Sequence, residues 1–185
     1  MAGLTVEPLP IAGAFVITLR RFADGRGAFL ESWRENGYAE ALAAPTFVQD
    51  NLSYSGPGVV RGLHYQAFEA QAQLVTIVKG QAVDVLVDLR RGSPTFRKTA
   101  MINLDADQPV QIYMPPGIAH GFQVTGAEAI LHYKCSRYYN AASERGLYWN
   151  DPVLGLDWPL SNPIISERDA AYPYLADIRD GDLPD

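Results

Sequence analysis

Val83-Asp84-Val85-Leu86-Val87-Asp88-Leu89 alternates with a period of two, so Val83, Val85, Val87 and Leu89 share one face and Asp84, Leu86 and Asp88 the other. That is the pattern of a strand buried on most of both faces, and its two carboxylates then require partners inside the protein. Outward from it, beginning near Phe15, β-branched and aromatic stretches alternate with turn-forming residues. These are Gly25/Gly27, Gly56-Pro57-Gly58, Gly80, Gly92-Ser93-Pro94, Pro115-Pro116-Gly117 and Gly126. Such a rhythm predicts a β-sandwich or barrel. Between Ala129 and Tyr139, a continuous strand gives Leu131, Tyr133, Cys135, Arg137 and Tyr139 one parity and His132 and Lys134 the other. Helical signals are few. Tyr38 to Ala44, ended by Pro45, reads as one helix, and Ser166-Glu167-Arg168-Asp169 reads as a capping box opening a short turn stopped by Pro173. The expected fold is therefore mainly β, in a single domain spanning residues 1–185, without internal repeats. The stretch 177–185 holds four aspartates and one arginine and is expected to fray into solvent as an acidic tail.

Composition bounds the partners. A 185-residue chain that is 48% hydrophobic and 11% aromatic can bury one sizeable core. Fifteen basic against twenty-one acidic residues give a net charge of −6 without any Lys/Arg run, which argues against nucleic acid and anionic membranes as partners. The longest apolar stretches, Leu74 to Val78 and Val83 to Leu89, fall well below the roughly 18–20 residues of a membrane helix. Cys135 is the only cysteine and has no partner for an internal disulfide, and the opening residues lack the basic and apolar regions of a signal peptide. The expectation is a cytoplasmic protein acting on small molecules.

Three histidines carry the proton chemistry available near neutral pH: His64, His120 and His132. His64 sits in Arg61-Gly62-Leu63-His64-Tyr65-Gln66, among residues suited to a polar pocket. No dinucleotide fingerprint occurs, since Gly25-Arg26-Gly27 is too short, and no phosphate-binding Gly-x-x-x-x-Gly-Lys-Ser/Thr occurs either. No cofactor is expected. A His-x-His metal pair would need a second imidazole where Gln66 stands, and an amide is a poor ligand for zinc or a transition metal, so no metal is expected. A pocket of histidine, tyrosines and carboxylates fits proton abstraction beside a carbonyl, which requires a base, an acid and a group that stabilises the enolate.

Several ordered blocks resemble the dTDP-4-dehydrorhamnose 3,5-epimerase family of cupin-type jelly-roll enzymes, over roughly Phe22 to Pro173. They are Asp24-x-Arg26-Gly27-x-Phe29-x-Glu31, Gln49-Asp50-Asn51, Arg61 to Gln66, Asp84 to Arg90, Ser93-Pro94-Thr95-Phe96, Pro116 to Phe122, Trp149-Asn150-Asp151-Pro152 and Ser166-x-x-Asp169. The resemblance implies a homodimer that takes a nucleoside-diphosphate 4-keto-6-deoxyhexose, dTDP-linked by preference, removes the proton at C3 or C5 and returns one from the opposite face. It implies His64 as base, Asp169 as its orienter and Tyr133 as acid. Arg26, Glu31, Gln49, Asn51, Arg61, His120, Glu144 and Arg168 match positions that bind the nucleotide, the diphosphate or the sugar, and Phe122 and Tyr139 would add aromatic surface. Asp84 and His120 look like a second dyad. The chain also departs from the family. Where the family carries a lysine thought to stabilise the enolate oxygen, this chain has Gln73, at the end of a segment that looks one residue shorter than usual. Arg97 and Arg168 replace a common glycine and lysine.

Each residue also has a purely structural reading. Asp169 is the acidic third residue of a capping box, Tyr133 is one of ten tyrosines, His120 follows a Pro-Gly turn, and Arg26 and Arg61 could be surface charges. His132 has the opposite strand parity from Tyr133 and reads as structural, and Cys135 reads as a small buried residue. Alternatives left open are an epimerase of one carbon only, an enzyme for a GDP- or CDP-linked sugar or a heptose, and a non-catalytic sugar-nucleotide binding protein.

Overall fold

The computed structural model describes residues 4–184. Its strands are β1 (Thr5–Pro8), β2 (Phe15–Thr18), β3 (Arg21–Asp24), β4 (Gly27–Leu30), β5 (Gln49–Ser55), β6 (Val60–Gln66), β7 (Gln73–Asp88), β8 (Thr99–Asp105), β9 (Val110–Met114), β10 (Ile118–Cys135) and β11 (Glu144–Gly146). Helices α1 (Glu35–Leu42) and α2 (Glu167–Ala170) and short 3-10 turns at Pro152–Leu154, Leu175–Asp177 and Asp180–Asp182 complete it. The fold is mainly β, as the alternation predicts.

Two long strands organise the architecture. β7 and β10 run antiparallel along nearly their whole length, and each exchanges its outer neighbour halfway. The first part of β7 pairs with β9 and the second, which contains Val83 to Leu86, pairs with β8. The first part of β10 pairs with β6 and the second with β5, across a register shift between Val124 and Ala129. The long strands thus bend from one sheet layer into the other, closing a jelly-roll barrel. Its interior gathers Val75, Ile77, Ile112 and Leu131 from one layer with Leu86, Phe122, Val124 and Leu104 from the other. Fully burying one such side chain contributes about 1.5–3 kcal/mol.

Both faces of the opening heptapeptide are buried, in different cores. Leu86 faces the barrel interior, whereas Val83, Val85, Val87 and Leu89 form an outer core with Leu63, Ala119 and Leu147. Leu154, Leu175 and Leu183 cover that outer core from the C-terminal segment. On the other layer, Tyr38 of α1 joins Ile17, Leu19, Leu74 and Tyr113. The two carboxylates find the partners they need. Asp88 accepts from Arg90 Nε (2.9 Å), Ser93 Oγ (2.6 Å) and Thr95 Oγ1 (2.6 Å), and Asp84 meets His120.

Three local expectations differ from the structure. The first helix begins and ends earlier than predicted, with Ala43 in the left-handed region (φ 50°) just after it. β10 ends at Cys135, so Tyr139 lies beyond the strand and the parity argument does not reach it. The acidic segment does not fray where it is described: Leu183 is buried, Asp182 accepts from Arg145 Nε at 2.7 Å, and Arg91 N donates to Pro184 O. An apolar anchor and an ion pair hold down a stretch that charge alone would release.

Candidate active site

A cavity of about 640 Å³ opens into the barrel between the two layers. On one wall, β6 and β10 set His64 directly opposite His120. The strands meet there without side chains: a Cβ on Gly62 would stand 2.6 Å from Gly121 Cα, and one on Gly121 2.6 Å from Arg61 O. Glycine at both positions lets the backbones approach this closely.

His64 Nε2 lies 2.9 Å from Asp169 Oδ1. Asp169 is buried in α2, whose first turn is capped by Ser166 Oγ accepting from Asp169 N (3.0 Å). The capping box and the catalytic reading of Asp169 are therefore compatible: the cap uses the Asp169 backbone N–H and leaves the carboxylate free to meet His64. Its Oδ2 accepts from Gly62 N (3.1 Å), and Arg168 Nε donates to Oδ1 (3.2 Å). Burial pushes the Asp169 carboxyl up, but the hydrogen bond and charge of His64, the Gly62 amide and the Arg168 charge outweigh it and hold it at about 2. Asp169 stays ionised and fixes His64 with Nδ1 uncommitted. The second pair has the same form, with His120 Nε2 2.7 Å from Asp84 Oδ1, while Asp84 Oδ2 is buried without a hydrogen-bond partner among the described residues.

The facing wall comes from the second part of β10 with β5 and the first part of β7. Tyr133 is the register partner of Asn51 and Val75, and Cys135 that of Gln49 and Gln73. Burial, reinforced by Cys135 and Glu144 and opposed by Arg61, pushes the Tyr133 phenol up, so it remains a proton donor. Gln49 Nε2 donates to Asn51 Oδ1 (3.0 Å), and Asn51 Nδ2 to Cys135 Sγ (3.6 Å). Gln73 Oε1 and Gln66 Oε1 are buried without any hydrogen-bond partner among the described residues, and both residues line the cavity. Unpaired acceptors there are matched to a ligand that brings donors.

The mouth is charged and aromatic. Arg168 Nη1 lies 3.2 Å from Glu144 Oε2, which also accepts from Tyr139 Oη (2.8 Å), and Tyr139 N donates to Gln49 Oε1 (3.0 Å). Arg61 Nε donates to Ser55 Oγ (2.9 Å), and Phe122 is buried in the cavity lining. Among the described residues, no three His, Cys, Asp or Glu side chains group closely enough to hold a metal ion.

Of the residues singled out in the sequence, Arg26 and Glu31 do not line this cavity. Arg26 sits at the tip of the β3–β4 hairpin, paired with Asp24 at 2.7 Å, and Glu31 follows β4, accepting from Arg34 Nε at 2.9 Å. His132 faces away from the cavity, with Nε2 3.8 Å from Asp50 Oδ1, in keeping with its parity. Two residues of the site escape sequence reasoning. Gln66 reads there only as the absence of a metal ligand. Tyr172, whose ring packs edge-on to His64 at 5.7 Å between centroids, gives no signal except its place three residues after Asp169.

Residues 8–177 match the family model described as dTDP-4-dehydrorhamnose 3,5-epimerase. A dTDP-4-dehydrorhamnose 3,5-epimerase from Neisseria gonorrhoeae is 49% identical over 81% of this chain, which spans 46% of that relative's length. A dTDP-4-dehydrorhamnose 3-epimerase from Streptomyces niveus is 41% identical over 97% of this chain and 88% of its own. The crystal structure of a dTDP-6-deoxy-D-glucose-3,5-epimerase from Legionella pneumophila in complex with dTDP-4-keto-L-rhamnose superposes with a TM-score of 0.95, at 40% identity, over 98% of both chains. With the jelly-roll barrel, the paired histidines and these likenesses in agreement, the chain belongs to the dTDP-4-dehydrorhamnose 3,5-epimerase family.

Proposed function

We propose that the protein is a cofactor-independent epimerase of a dTDP-linked 4-keto-6-deoxyhexose, inverting C3, C5 or both. The observation that carries this reading is a base and an acid on facing walls of one cavity: His64, oriented by buried Asp169, and Tyr133, kept protonated by burial. His64 Nδ1 takes the proton from the carbon beside the ketone, and the C–H electron pair moves into a C–C double bond as the carbonyl pair moves to O4. Tyr133 then returns a proton to the opposite face of that carbon, and the enolate collapses to the inverted ketone. Solvent restores both groups. Gln73, which lines the cavity beside the Tyr133 wall, donates through Nε2 to the enolate oxygen. His120, held by Asp84, with Arg61 and Arg168, supplies positive and hydrogen-bonding groups for the diphosphate. Gln49, Asn51, Glu144, Tyr139 and Phe122 bind the remainder of the nucleotide sugar.

Arg26 and Glu31 join the site in a homodimer, as part of the same proposal. The β3–β4 hairpin, which carries Arg26 and ends just before Glu31, exposes Phe22 (44%) and Phe29 (70%), large apolar surface suited to a second copy. The net charge of −6 disfavours nucleic acid, no helix of the described residues is long and apolar enough to cross a membrane, and a free buried thiol suits the reducing cytoplasm. Inversion of a single carbon is the second reading, favoured by the neutral Gln73; a 3-epimerase stands among the relatives, at 41% identity.

The test is incubation with dTDP-4-keto-6-deoxyglucose in heavy water, followed by NMR of the sugar. Deuterium is expected at C3, C5 or both, and the pattern decides between one and two inversions. Absence of exchange with several 4-keto sugar nucleotides would refute the enzyme reading.

A further inference from the structure

If His64 is the base, its ring must be fixed on more than the Asp169 side. β11 pairs with β6 so that Gly146 is the register partner of His64. Gly146 is buried, and a Cβ built on it would overlap Cδ2, Cε2 and Cζ of Tyr172. The Tyr172 ring fills the place that a side chain at 146 would take. From there it meets the His64 ring edge-on, with the planes at 75° and the centroids 5.7 Å apart. Its backbone is anchored nearby: Ala171 N donates to Arg168 O (3.1 Å), closing α2, and Tyr148 N to Pro173 O (2.8 Å), tying the next residue to the chain after β11.

We propose that Tyr172 is a positioning residue for His64, and that the glycine at 146 is the space that lets it act. The aromatic wall restricts the swing of the imidazole about the Asp169 contact and keeps bulk water off the Nε2–carboxylate bond, so that Nδ1 is presented in one direction. The ring does this, not the hydroxyl, which takes part in no hydrogen bond among the described residues. Burial pushes the phenol up, Arg168 opposes this, Glu144 and Asp169 add to it, and the group rests at about 12, so Tyr172 brings no negative charge to the base. A phenyl ring should therefore serve nearly as well.

The inference rests on the epimerase reading, and the test separates the two. Wild-type protein, Tyr172→Phe, Tyr172→Ala, Gly146→Ala and the double variant Gly146→Ala/Tyr172→Ala are compared for deuterium exchange at saturating dTDP-4-keto-6-deoxyglucose, for dTDP binding and for the His64 imidazole NMR signals. Tyr172→Ala and Gly146→Ala should each lose about tenfold or more in exchange rate with nucleotide affinity within about twofold of wild type. Tyr172→Phe should keep most of the rate. The double variant should be no worse than Tyr172→Ala alone, because the methyl added at position 146 has nothing to displace once the ring is gone. The His64 Nε2 proton should give one resolved signal in wild type and Tyr172→Phe, exchange-broadened in the two single alanine variants. Full activity in Tyr172→Ala, or a loss of exchange matched by an equal loss of dTDP binding or of folded protein, overturns the proposal. The imidazole signal requires no turnover, so a wild-type protein that exchanges nothing refutes the epimerase reading while the positioning role is still decided.

Discussion

Among individual residues, Gln73 is the one that the proposed mechanism sets at the enolate oxygen. It is the register partner of Cys135, two residues along β7 from Val75, the partner of Tyr133, and its Oε1 is buried without a partner among the described residues. A neutral amide gives a developing enolate about half the stabilisation of a charge-assisted bond. Gln73→Lys should raise the exchange rate by about tenfold, the equivalent of about 1.4 kcal/mol of transition-state stabilisation. Steady-state turnover with a dTDP-4-keto sugar checks this. A folded variant with lower turnover would mean that Gln73 is matched to a different substrate. His64 and the motif around it are visible in the sequence because residue type and neighbours carry the signal. The orphaned state of Gln73 is not, since it depends on which strands flank it.

Among the strands and helices, the β6–β10 crossing positions both histidines. The pair Gly62 and Gly121 allows the strands to touch backbone to backbone, so that His64 and His120 stand opposite each other on the cavity wall. In Gly121→Ala the added methyl meets Arg61 O, Leu63 Cδ2 and Gly62 Cα, all at 3.1 Å or less. Overpacking of this kind costs about 1–3 kcal/mol. The thermal midpoint should fall accordingly, and exchange activity should fall further than stability alone explains, because the displaced β10 carries His120. An unchanged midpoint would show that the two strands have slack. α2 is a second case, in which four helical residues and one serine cap aim Asp169 across the sequence to Gly62 and His64. In the β7–β8 connection Arg97 occupies the left-handed region (φ 66°) that favours glycine.

Across the molecule, two buried carboxylates join distant parts of the chain. Asp88 ties Arg90, Ser93 and Thr95 together, and Arg90 and Thr95 in turn hold Ala12, whereas Asp169 ties the C-terminal segment to β6. Burial raises Asp88, yet the bonds from Arg90, Ser93 and Thr95 outweigh it and bring it to about 2, as happens for Asp169. Both are depressed from an unfolded value near 3.8. Their stabilisation, about 2 kcal/mol apiece, is therefore fully present above roughly pH 4 and is lost as pH falls towards 2. Equilibrium unfolding should show a plateau above about pH 5 and a steep decline between about pH 4 and 2, with Asp88→Asn flattening that decline. An equally steep decline in the variant would remove Asp88 from this role. Residue order alone carries the strand-rich class, the period-two burial of residues 83–89 and the family blocks, because these depend on local alternation and on the succession of residue types. It could not place Tyr139 or Arg26, nor hold the acidic C-terminal segment against the barrel, because those outcomes turn on where strands end and what packs beyond them. Folding was needed to pair Asp169 with His64 across 105 residues of chain and to slide Tyr172 into the gap at Gly146. Contacts between elements distant in sequence are set by the packing of the bent β7 and β10, which no local pattern encodes.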